Sequence, residues 1–331
     1  MTQLPVIFLM GPTAAGKTAL AVELAQRYPL ELVSVDSALV YRGLDIGAAR
    51  PDAATLALAP HRLLGIRDPS EPYSAAEFRV DALAAIEEIH AAGKLPLLVG
   101  GTMMYFKALM GGFAELPPAD KVTRARLEAE AAAVGWPALH ERLAQVDAVT
   151  AARLAPNDSQ RLQRALEVYE LTGVPLSEHH RRQQKAVELL DNEIGQTTDF
   201  PYTVHAFAVS PRLRADLHRR IEQRLEQMFV EGLVDEVRQL YQRGDLTPDL
   251  PAMRAVGYRQ VWEYLAGACD YATLKHKVLV ATRQLAKRQL TWLRSWPDVT
   301  WLYSDDEEEL LASAIVHMGA VVHEWQAGIA R

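Results

Sequence analysis

Cysteine is nearly absent from this chain, since Cys269 is the only one among 331 residues. A single thiol supports neither a disulfide framework nor a cysteine-based zinc site. The ten histidines include no His-Glu-x-x-His pair, and the adjacent His179 and His180 suit no common metal pair on one helix. These absences exclude disulfide-rich scaffolds and the common zinc sites that cysteines or a single helix provide.

Long apolar runs are also missing, because no stretch approaches the ~20 residues that a membrane helix requires. The first ten residues lack a basic lead-in and reach Gly11 after one short apolar run, unlike a secretory signal. Hydrophobic residues make up 49% and charged residues 23% of the chain, as in ordinary globular proteins. We therefore expect a cytoplasmic protein with two domains, or with one large domain and an insertion.

The net charge of −7 conceals patches of opposite sign. Five acids in a row occupy residues 305–309, whereas residues 281–294 contain four basic side chains and no acid. Residues 211–224 contain five arginines against two acids. Such asymmetry permits a polyanionic partner on one face, although arginines on amphipathic helices are equally typical of a solvated surface.

Short apolar runs bounded by turn signals predict five strands. Helical patterns separate the runs, which is typical of a mostly parallel sheet with helices on both faces. The predicted strands are 5–10, 31–35, 95–99, 205–209 and 299–303. These features predict an α/β fold.

The strand signal disappears between about 114 and 200, where helical patterns take its place. The helices predicted there are 120–134, 136–146, 158–172, which stops at Gly173, and 175–190. A loop over 190–201 would return the chain to the sheet. We therefore expect a core formed by 1–113 and 202–331, with an all-helical insertion over 114–201.

Residues 11–18 match G-x-x-x-x-G-K-[ST], the phosphate-binding loop, between an apolar strand and a helical pattern. The amides of such a loop surround phosphate oxygens at a helix N-terminus, where the dipole favours negative charge. The Lys17 ammonium would neutralise a phosphoryl oxygen, and the Thr18 hydroxyl would hold Mg²⁺. The predicted phosphate contacts are Gly11, Pro12, Thr13, Ala14, Ala15, Gly16, Lys17 and Thr18. The loop predicts a core like that of the P-loop NTPases and by itself favours a kinase or NTPase.

Polar residues follow two further strands. Asp36 comes directly after the second strand, and Gly100-Gly101-Thr102 follow the third. Ligands of parallel sheets bind at the carboxyl ends of the strands, so both segments are expected beside the phosphate loop. Position alone leaves three roles open for Asp36, which are a base, a magnesium ligand or a helix N-cap. Thr102 offers a hydroxyl to the same crevice or caps the next helix.

Taken together, these segments identify a resemblance to the tRNA dimethylallyltransferases, also called tRNA isopentenyltransferases. It extends from Gly11 to about Arg294. The matching segments include GPTAAGKT (11–18), DSALVYRGLDIGAARP (36–51), LVGGTMMYFKAL (98–109), NDSQRLQRALEVYELTGVPLS (157–177), RIEQRLEQM (220–228), GLVDEV (232–237), RAVGYRQ (254–260) and TRQLAKRQLTWLR (282–294). The zinc finger of eukaryotic members is missing, so the chain resembles the bacterial type.

The resemblance implies transfer of a dimethylallyl group from dimethylallyl diphosphate, with Mg²⁺, to N6 of adenosine 37. That adenosine lies 3′ to the anticodon in tRNAs that read codons beginning with U. The phosphate loop would then hold a prenyl diphosphate instead of a nucleoside triphosphate. By family likeness, Asp36 accepts the proton of the amine and Thr102 contacts the target nucleotide. Arg224, or alternatively Arg220, would stabilise the departing diphosphate together with Lys17.

The resemblance further implies a tRNA anticodon stem-loop as partner, with the target base flipped into a channel through the core. The residues in tRNA-facing segments are Asp36, Ser37, Ala38, Leu39, Thr102, Arg124, Gln160, Arg161, Leu162, Gln163, Arg164, Arg254, Ala255, Val256, Gly257, Tyr258, Arg259, Lys287, Arg288, Gln289, Leu290, Thr291, Trp292, Leu293 and Arg294. Segment 282–294 is also expected to pack on the core through Leu285, Leu290, Trp292 and Leu293. The expected footprint requires no partner subunit, so we expect a monomer.

Three other functions share part of this pattern. They are a P-loop kinase of a small metabolite, an enzyme that prenylates free adenine nucleotides, and a non-catalytic RNA-binding module. The helical insertion and the basic segment 287–294 argue against the kinase, because a small acceptor requires neither. The basic segment also argues against free nucleotides, and the complete set of Lys17, Thr18, Asp36 and Thr102 argues against a non-catalytic module.

Overall fold

A computed structural model of the protein describes residues 3–111, 116–117, 119–182 and 200–329. The chain divides into two compact units, one formed by Met1–Leu109 with Pro201–Arg331 and the other by Met110–Phe200. The boundaries between the units therefore lie at 109/110 and 200/201. The boundaries expected from the sequence, 113/114 and 201/202, lie four residues and one residue further along the chain.

The first unit contains one parallel sheet in the order β3-β2-β4-β1-β5-β6. Its strands are β1 (Pro5–Met10), β2 (Leu30–Val35), β3 (His61–Arg62), β4 (Leu95–Gly100), β5 (Thr203–Ser210) and β6 (Thr300–Tyr303). Five of them lie at the predicted positions, and the predicted α/β class is confirmed. The two residues of β3 were not predicted, because a strand this short has no apolar run.

Helices cover both faces of this sheet. The helices that begin in this part of the chain are α1 (Lys17–Arg27), α2 (Ala53–Leu58), α3 (Ala75–Ala91), α4 (Met103–Gly111), α10 (Arg214–Glu231), α11 (Leu233–Gln242), α12 (Tyr258–Leu265), α13 (Tyr271–Arg294) and α14 (Glu307–Ile329). Ile7 and Leu9 of β1 pack in one buried cluster with residues of α1 and α14. Phe8, which points to the opposite face, contacts Phe106 of α4 at 4.9 Å between ring centroids. Throughout the described ranges, no helix combines the length and apolar character needed to cross a membrane.

The acidic run 305–309 begins α14. The Asp305 carboxylate accepts hydrogen bonds from the Arg212 backbone N–H (3.0 Å) and from its guanidinium (2.8 Å). The Asp306 carboxylate accepts the Glu309 N–H at 2.9 Å, and three glutamates occupy the first helical turn. Negative charge is favourable there because it opposes the helix dipole, so the run has a structural role in starting this helix.

The second unit is helical in the residues that the structure describes. Its helices are α5 (Lys121–Val134), α6 (Trp136–Val146), α7 (Ala148–Ala151), α8 (Ser159–Thr172) and α9 (176–182). Gly173 ends α8 with a left-handed backbone (φ 69°), as its position predicts. The rest of the predicted helix 175–190 and most of the predicted loop 190–201 lie outside the described residues.

A buried carboxylate joins two helices of this unit. Glu167 on α8 is fully buried and accepts hydrogen bonds from Arg124 (2.8 and 3.0 Å), Arg164 (2.6 Å) and the Asp120 N–H (2.8 Å). Burial raises the pKa of Glu167, but these hydrogen bonds and the two positive charges outweigh it and hold the pKa below its ordinary value. Glu167 is therefore ionised and paired in the folded unit.

Glu167→Gln is expected to destabilise the second unit by about 3 kcal/mol, because it leaves two arginines without their buried carboxylate. The folded-state pKa of Glu167 lies below the ordinary 4.5, so its contribution is present above that pH and is lost as pH falls through the folded-state pKa. Calorimetric melting curves should show a gap of several degrees from wild type at neutral pH that shrinks in acid. Glu141→Gln on the exposed face of α6 is the control, and a similar gap for both variants would contradict the expectation.

Candidate active site

Three polar loops start at the same edge of the sheet. Gly100 of β4 pairs in register with Met10 of β1 and with Val35 of β2, so these strands end side by side. The loop 11–18, Asp36 and Thr102 follow these three ends directly. The structure thus brings together the segments that the sequence analysis placed beside one another, at the edge where parallel sheets bind ligands.

A cavity of about 590 Å³ lies between these loops, helices α10 and α13, and segment 254–257. Its polar side chains include Lys17, Asp36, Thr102 and Arg224. Its apolar lining includes Met103, Met104, Ile221, Leu225, Met228, Leu233, Val278 and Leu285. Such a lining suits a ligand with both an anionic group and a hydrocarbon part.

The phosphate loop presents an uncapped helix N-terminus. Helix α1 begins at Lys17 after Gly16 (φ 91°), without a side-chain cap and without an acid in its first turn. Its first amides are therefore left for an anion, and the helix dipole favours one. The Thr13 N–H, in contrast, donates to the Gln289 side chain at 2.9 Å, so the predicted phosphate contact of Thr13 does not come from this amide.

The Lys17 ammonium lies in the cavity and donates a hydrogen bond to the Pro12 carbonyl at 2.7 Å. Burial, together with the nearby Arg224 charge, lowers the pKa of Lys17 to about 7, although the Asp36 carboxylate partly opposes the shift. Binding of an anion beside Lys17 would restore its full positive charge. Lys17 is thus suited to a phosphate group that arrives with the ligand.

Asp36 stabilises a turn over 36–39; no helix begins there, so the helix N-cap role is wrong. Its Oδ1 atom accepts the N–H groups of Ala38 (2.8 Å) and Leu39 (3.2 Å). Its Oδ2 atom accepts no hydrogen bond from the described residues, and Asp36 lines the cavity. One oxygen therefore holds the turn, and the other is available to accept a proton.

Thr102 connects the loops after β2 and β4. Its Oγ1 atom accepts the Ser37 N–H at 3.0 Å, and its own N–H donates to the Val35 carbonyl at 3.3 Å. Thr102 is thereby held next to Asp36 in the cavity lining.

The two arginines considered for the anionic group differ in their surroundings. Arg224 lines the cavity, where burial lowers its pKa and the nearby Asp36 opposes the shift. The Arg220 guanidinium instead donates to the hydroxyl and carbonyl oxygens of Ser304. Arg220 therefore attaches α10 to the end of β6, and of the two arginines only Arg224 lines the cavity.

The described residues contain no cluster of three or more histidines, cysteines or acids that could hold a metal ion. Mg²⁺ commonly keeps several waters and binds through one or two protein oxygens together with phosphate oxygens. Thr18 supplies a hydroxyl, and Asp36 supplies a carboxylate, to the same cavity. These residues fit an ion that arrives with a phosphate ligand.

Comparison with known proteins decides the family. The IPP transferase (IPPT) family model matches residues 39–296, more than half of the chain. A full-length tRNA isopentenylpyrophosphate transferase from Bacillus halodurans is 34% identical over 100% of both chains, with a TM-score of 0.69. This chain belongs to the IPP transferase family.

Two further solved structures extend the likeness. A tRNA delta(2)-isopentenylpyrophosphate transferase from Staphylococcus epidermidis is 30% identical, with a TM-score of 0.66, over 96% of this chain and 100% of that chain. A eukaryotic dimethylallyltransferase acting on tRNA is 25% identical, with a TM-score of 0.73, over 96% of this chain and 77% of that chain. The predicted family and its enzyme class, a transferase, are confirmed.

Several residues assigned to tRNA in this IPP transferase line the same cavity. They are Asp36, Ser37, Ala38, Leu39, Thr102, Arg254, Ala255, Val256, Gly257, Arg288, Gln289 and Trp292. Arg259, Lys287, Thr291 and Arg294 are exposed near them along the chain. In the second unit, Gln160 and Arg161 are exposed, and Arg124 and Arg164 are partly exposed beside Glu167.

Burial corrects some of these assignments. The side chains of Leu162, Tyr258 and Leu293 are fully buried, so in this structure they belong to the core and do not face an RNA. The expected burial of Trp292 is wrong, because its residue is 40% exposed and lines the cavity. An apolar helix position next to a cavity cannot be distinguished from a core position by periodicity alone.

Sequence reasoning missed the pair that shapes loop 45–48. The Glu236 carboxylate accepts the N–H groups of Asp45 (3.1 Å), Ile46 (2.7 Å) and Gly47 (3.1 Å). It also accepts the Tyr258 hydroxyl at 2.5 Å, which in turn accepts the Ala48 N–H at 3.2 Å. Because Gly47 and Ala48 line the cavity, this pair positions one of its walls. About 190 residues separate Glu236 from the loop, so no local pattern could reveal it.

Proposed function

We propose that this protein transfers a dimethylallyl group from dimethylallyl diphosphate to N6 of adenosine 37 in tRNAs that read codons beginning with U. One observation carries the proposal. A single cavity contains a phosphate loop, a carboxylate with an available oxygen, a partly buried arginine and apolar side chains. A kinase requires the first of these features but no apolar lining for the transferred group. Membership of the IPP transferase family supports the same reaction.

In the proposed reaction, the adenosine N6 atom forms a bond to the allylic carbon while the bond from that carbon to the diphosphate oxygen breaks. The diphosphate leaves with the bonding electrons, and Asp36 Oδ2 accepts the proton that the amine releases. Lys17, Arg224 and the amides of loop 14–18 stabilise the charge that develops on the diphosphate. When bound, Mg²⁺ would add to this stabilisation, with the Thr18 hydroxyl among its ligands.

The tRNA anticodon stem-loop is the proposed partner. Lys287, Arg288 and Arg294 on α13 form no ion pair with any described residue, which leaves their charges for phosphates. The helical insertion, predicted at 114–201, would contact the anticodon arm through residues such as Arg124 and Arg161. We propose that the enzyme acts as a cytoplasmic monomer, because the expected RNA footprint requires no partner subunit.

The test uses an anticodon stem-loop with adenosines at positions 36, 37 and 38. The protein is incubated with it, Mg²⁺ and dimethylallyl diphosphate, with parallel reactions that contain AMP or ATP, and products are read by mass spectrometry. One dimethylallyl group on the RNA, lost when adenosine 37 is replaced, is expected. Prenylated AMP or ATP with unmodified RNA would indicate an enzyme that prenylates free adenine nucleotides. The absence of any transfer would contradict the proposal and favour a kinase.

Arg288→Ala is expected to weaken stem-loop binding and to reduce the slope of log affinity against log salt by about 0.7, the value for one phosphate contact on a single strand. Binding is measured at several salt concentrations by fluorescence anisotropy. Lys275→Ala on the same helix is the matched control, since Lys275 contacts the Phe229 and Tyr271 rings. An unchanged slope for Arg288→Ala would assign Arg288 a structural role.

A further inference from the structure

The Gln289 side chain bridges two loops of the active site. Its Oε1 atom accepts the Thr13 N–H of the phosphate loop at 2.9 Å, and its Nε2 atom donates to the Gly101 carbonyl at 2.9 Å. Gln289 lies on α13 and is 8% exposed. Both ends of its amide are therefore engaged by the protein backbone, on loops that follow β1 and β4.

The fit around this amide is close. A Cβ atom on Gly101 would lie 2.3 Å from Nε2, so a side chain there would displace the amide. Rotating the amide by half a turn would place a donor against the Thr13 N–H and an acceptor against the Gly101 carbonyl, which breaks both hydrogen bonds. The bridge thus requires one acceptor and one donor at fixed positions, and glutamine supplies both.

Each loop continues into a group of the proposed chemistry. Within the phosphate loop, Thr13 lies four residues before Lys17. Gly101 directly precedes Thr102, whose hydroxyl accepts the Ser37 N–H beside Asp36. We infer that Gln289 is a positioning residue that holds the phosphate loop and the Thr102–Asp36 side of the cavity at a fixed separation. The inference rests on the proposed function. In that reaction, the leaving diphosphate and the base Asp36 must lie on opposite sides of the allylic carbon, so the distance between the two loops matters.

This role differs from the direct tRNA contact that the family resemblance implies for Gln289. A buried amide whose oxygen and nitrogen both bond to backbone has little capacity left for an RNA. Arg288 and Trp292, on the same helix, are more exposed to solvent than Gln289 and line the same cavity. A positioning role predicts a loss of diphosphate binding and turnover, whereas an RNA contact predicts a loss of RNA affinity.

The test compares Gln289→Met, similar in size but unable to form the bridge, with Gln284→Met, the same change at an exposed position of α13. Three quantities are measured, which are the Kd of Mg²⁺-pyrophosphate without RNA, the Kd of the stem-loop, and kcat at saturating substrates. For Gln289→Met we expect a pyrophosphate Kd about tenfold higher, kcat about tenfold to a hundredfold lower and a stem-loop Kd within about twofold of wild type, since two buried backbone groups lose their partner. Gln284→Met should match wild type in all three.

A raised stem-loop Kd with unchanged pyrophosphate binding would overturn the inference in favour of an RNA contact. Equal losses in all three quantities with a lowered melting temperature would overturn it in favour of a role in folding alone. The pyrophosphate measurement needs neither RNA nor transfer. Its outcome therefore tests the bridge even if the wild-type protein transfers no dimethylallyl group and the proposed function fails.

Gln289→Glu provides a second variant of native size should the methionine variant not fold. A protonated glutamate accepts the Thr13 N–H and donates to the Gly101 carbonyl as glutamine does, whereas a carboxylate repels that carbonyl. The other charged groups that line the cavity are the same in the variant and in wild type, so their titration cancels when the two kcat values are divided. These groups are Lys17, Asp36, Arg224, Arg254 and Arg288. We therefore expect the ratio of kcat between this variant and wild type to rise as pH falls, and a ratio independent of pH would contradict the bridge.

Discussion

Asp36→Asn is expected to reduce turnover with the stem-loop by about 10²–10⁴-fold, the range over which a positioned base contributes. Asparagine keeps an oxygen that can accept the Ala38 and Leu39 N–H groups, as Asp36 Oδ1 does. The turn 36–39 should therefore persist, while the ability to accept a proton is lost. Single-turnover rates and stem-loop binding, measured on the same preparation, separate chemistry from affinity.

Asp36→Ala is a second variant at this position, and it removes both the proposed base and the oxygen that holds the turn. We expect a turnover as low as that of the asparagine variant, together with a lower melting temperature and weaker RNA binding. If the asparagine variant instead loses RNA affinity and turnover in equal measure, Asp36 acts in binding and not as the base.

Arg224→Ala is expected to lower kcat by about 10²–10³-fold, since in the proposed reaction it removes a preorganised positive charge from the position where charge develops on the diphosphate. Arg224 lies in the cavity within the electrostatic range of Asp36 and Lys17. Its loss should also raise the Kd of pyrophosphate. Steady-state rates and pyrophosphate titrations measure both effects.

Arg220→Ala is the matched control, one turn earlier on α10. Because the Arg220 guanidinium bonds to Ser304, its removal should lower the melting temperature and leave pyrophosphate affinity within about twofold of wild type. The reverse result, with pyrophosphate affinity lost in Arg220→Ala and kept in Arg224→Ala, would exchange the two roles.

Much of the architecture could be predicted from local patterns. The apolar runs at 5–10 and 95–99 correspond to β1 and β4 within one residue, because buried parallel strands must be apolar on both faces. Since parallel strands end at a common edge, strand positions alone were enough to place Asp36 and Thr102 beside the phosphate loop. Gly173 could be read as a helix end because few other residues adopt a positive φ without strain.

Contacts between distant residues could not be predicted in this way. Arg220 and Arg224 lie one turn apart in the same motif, and only the fold brings the first to Ser304 and the second to the cavity. Trp292 and Leu293 are adjacent apolar residues, yet one lines the cavity and the other is buried. The identity of a residue does not reveal which neighbours the fold brings to it.

The sequence by itself therefore determined the match of residues 11–18 to a phosphate-binding motif, the positions of the five longer strands, the resemblance to a family and the residues with suitable chemistry. These are properties of short segments, where periodicity, glycine positions and charge act over a few residues. Tertiary structure decided which of those residues share a cavity and which hold it in shape, as Gln289 and Glu236 do. The two hydrogen-bond partners of Gln289 lie 188 and 276 residues away along the chain. A hydrogen bond over such a separation exists only once the chain has folded.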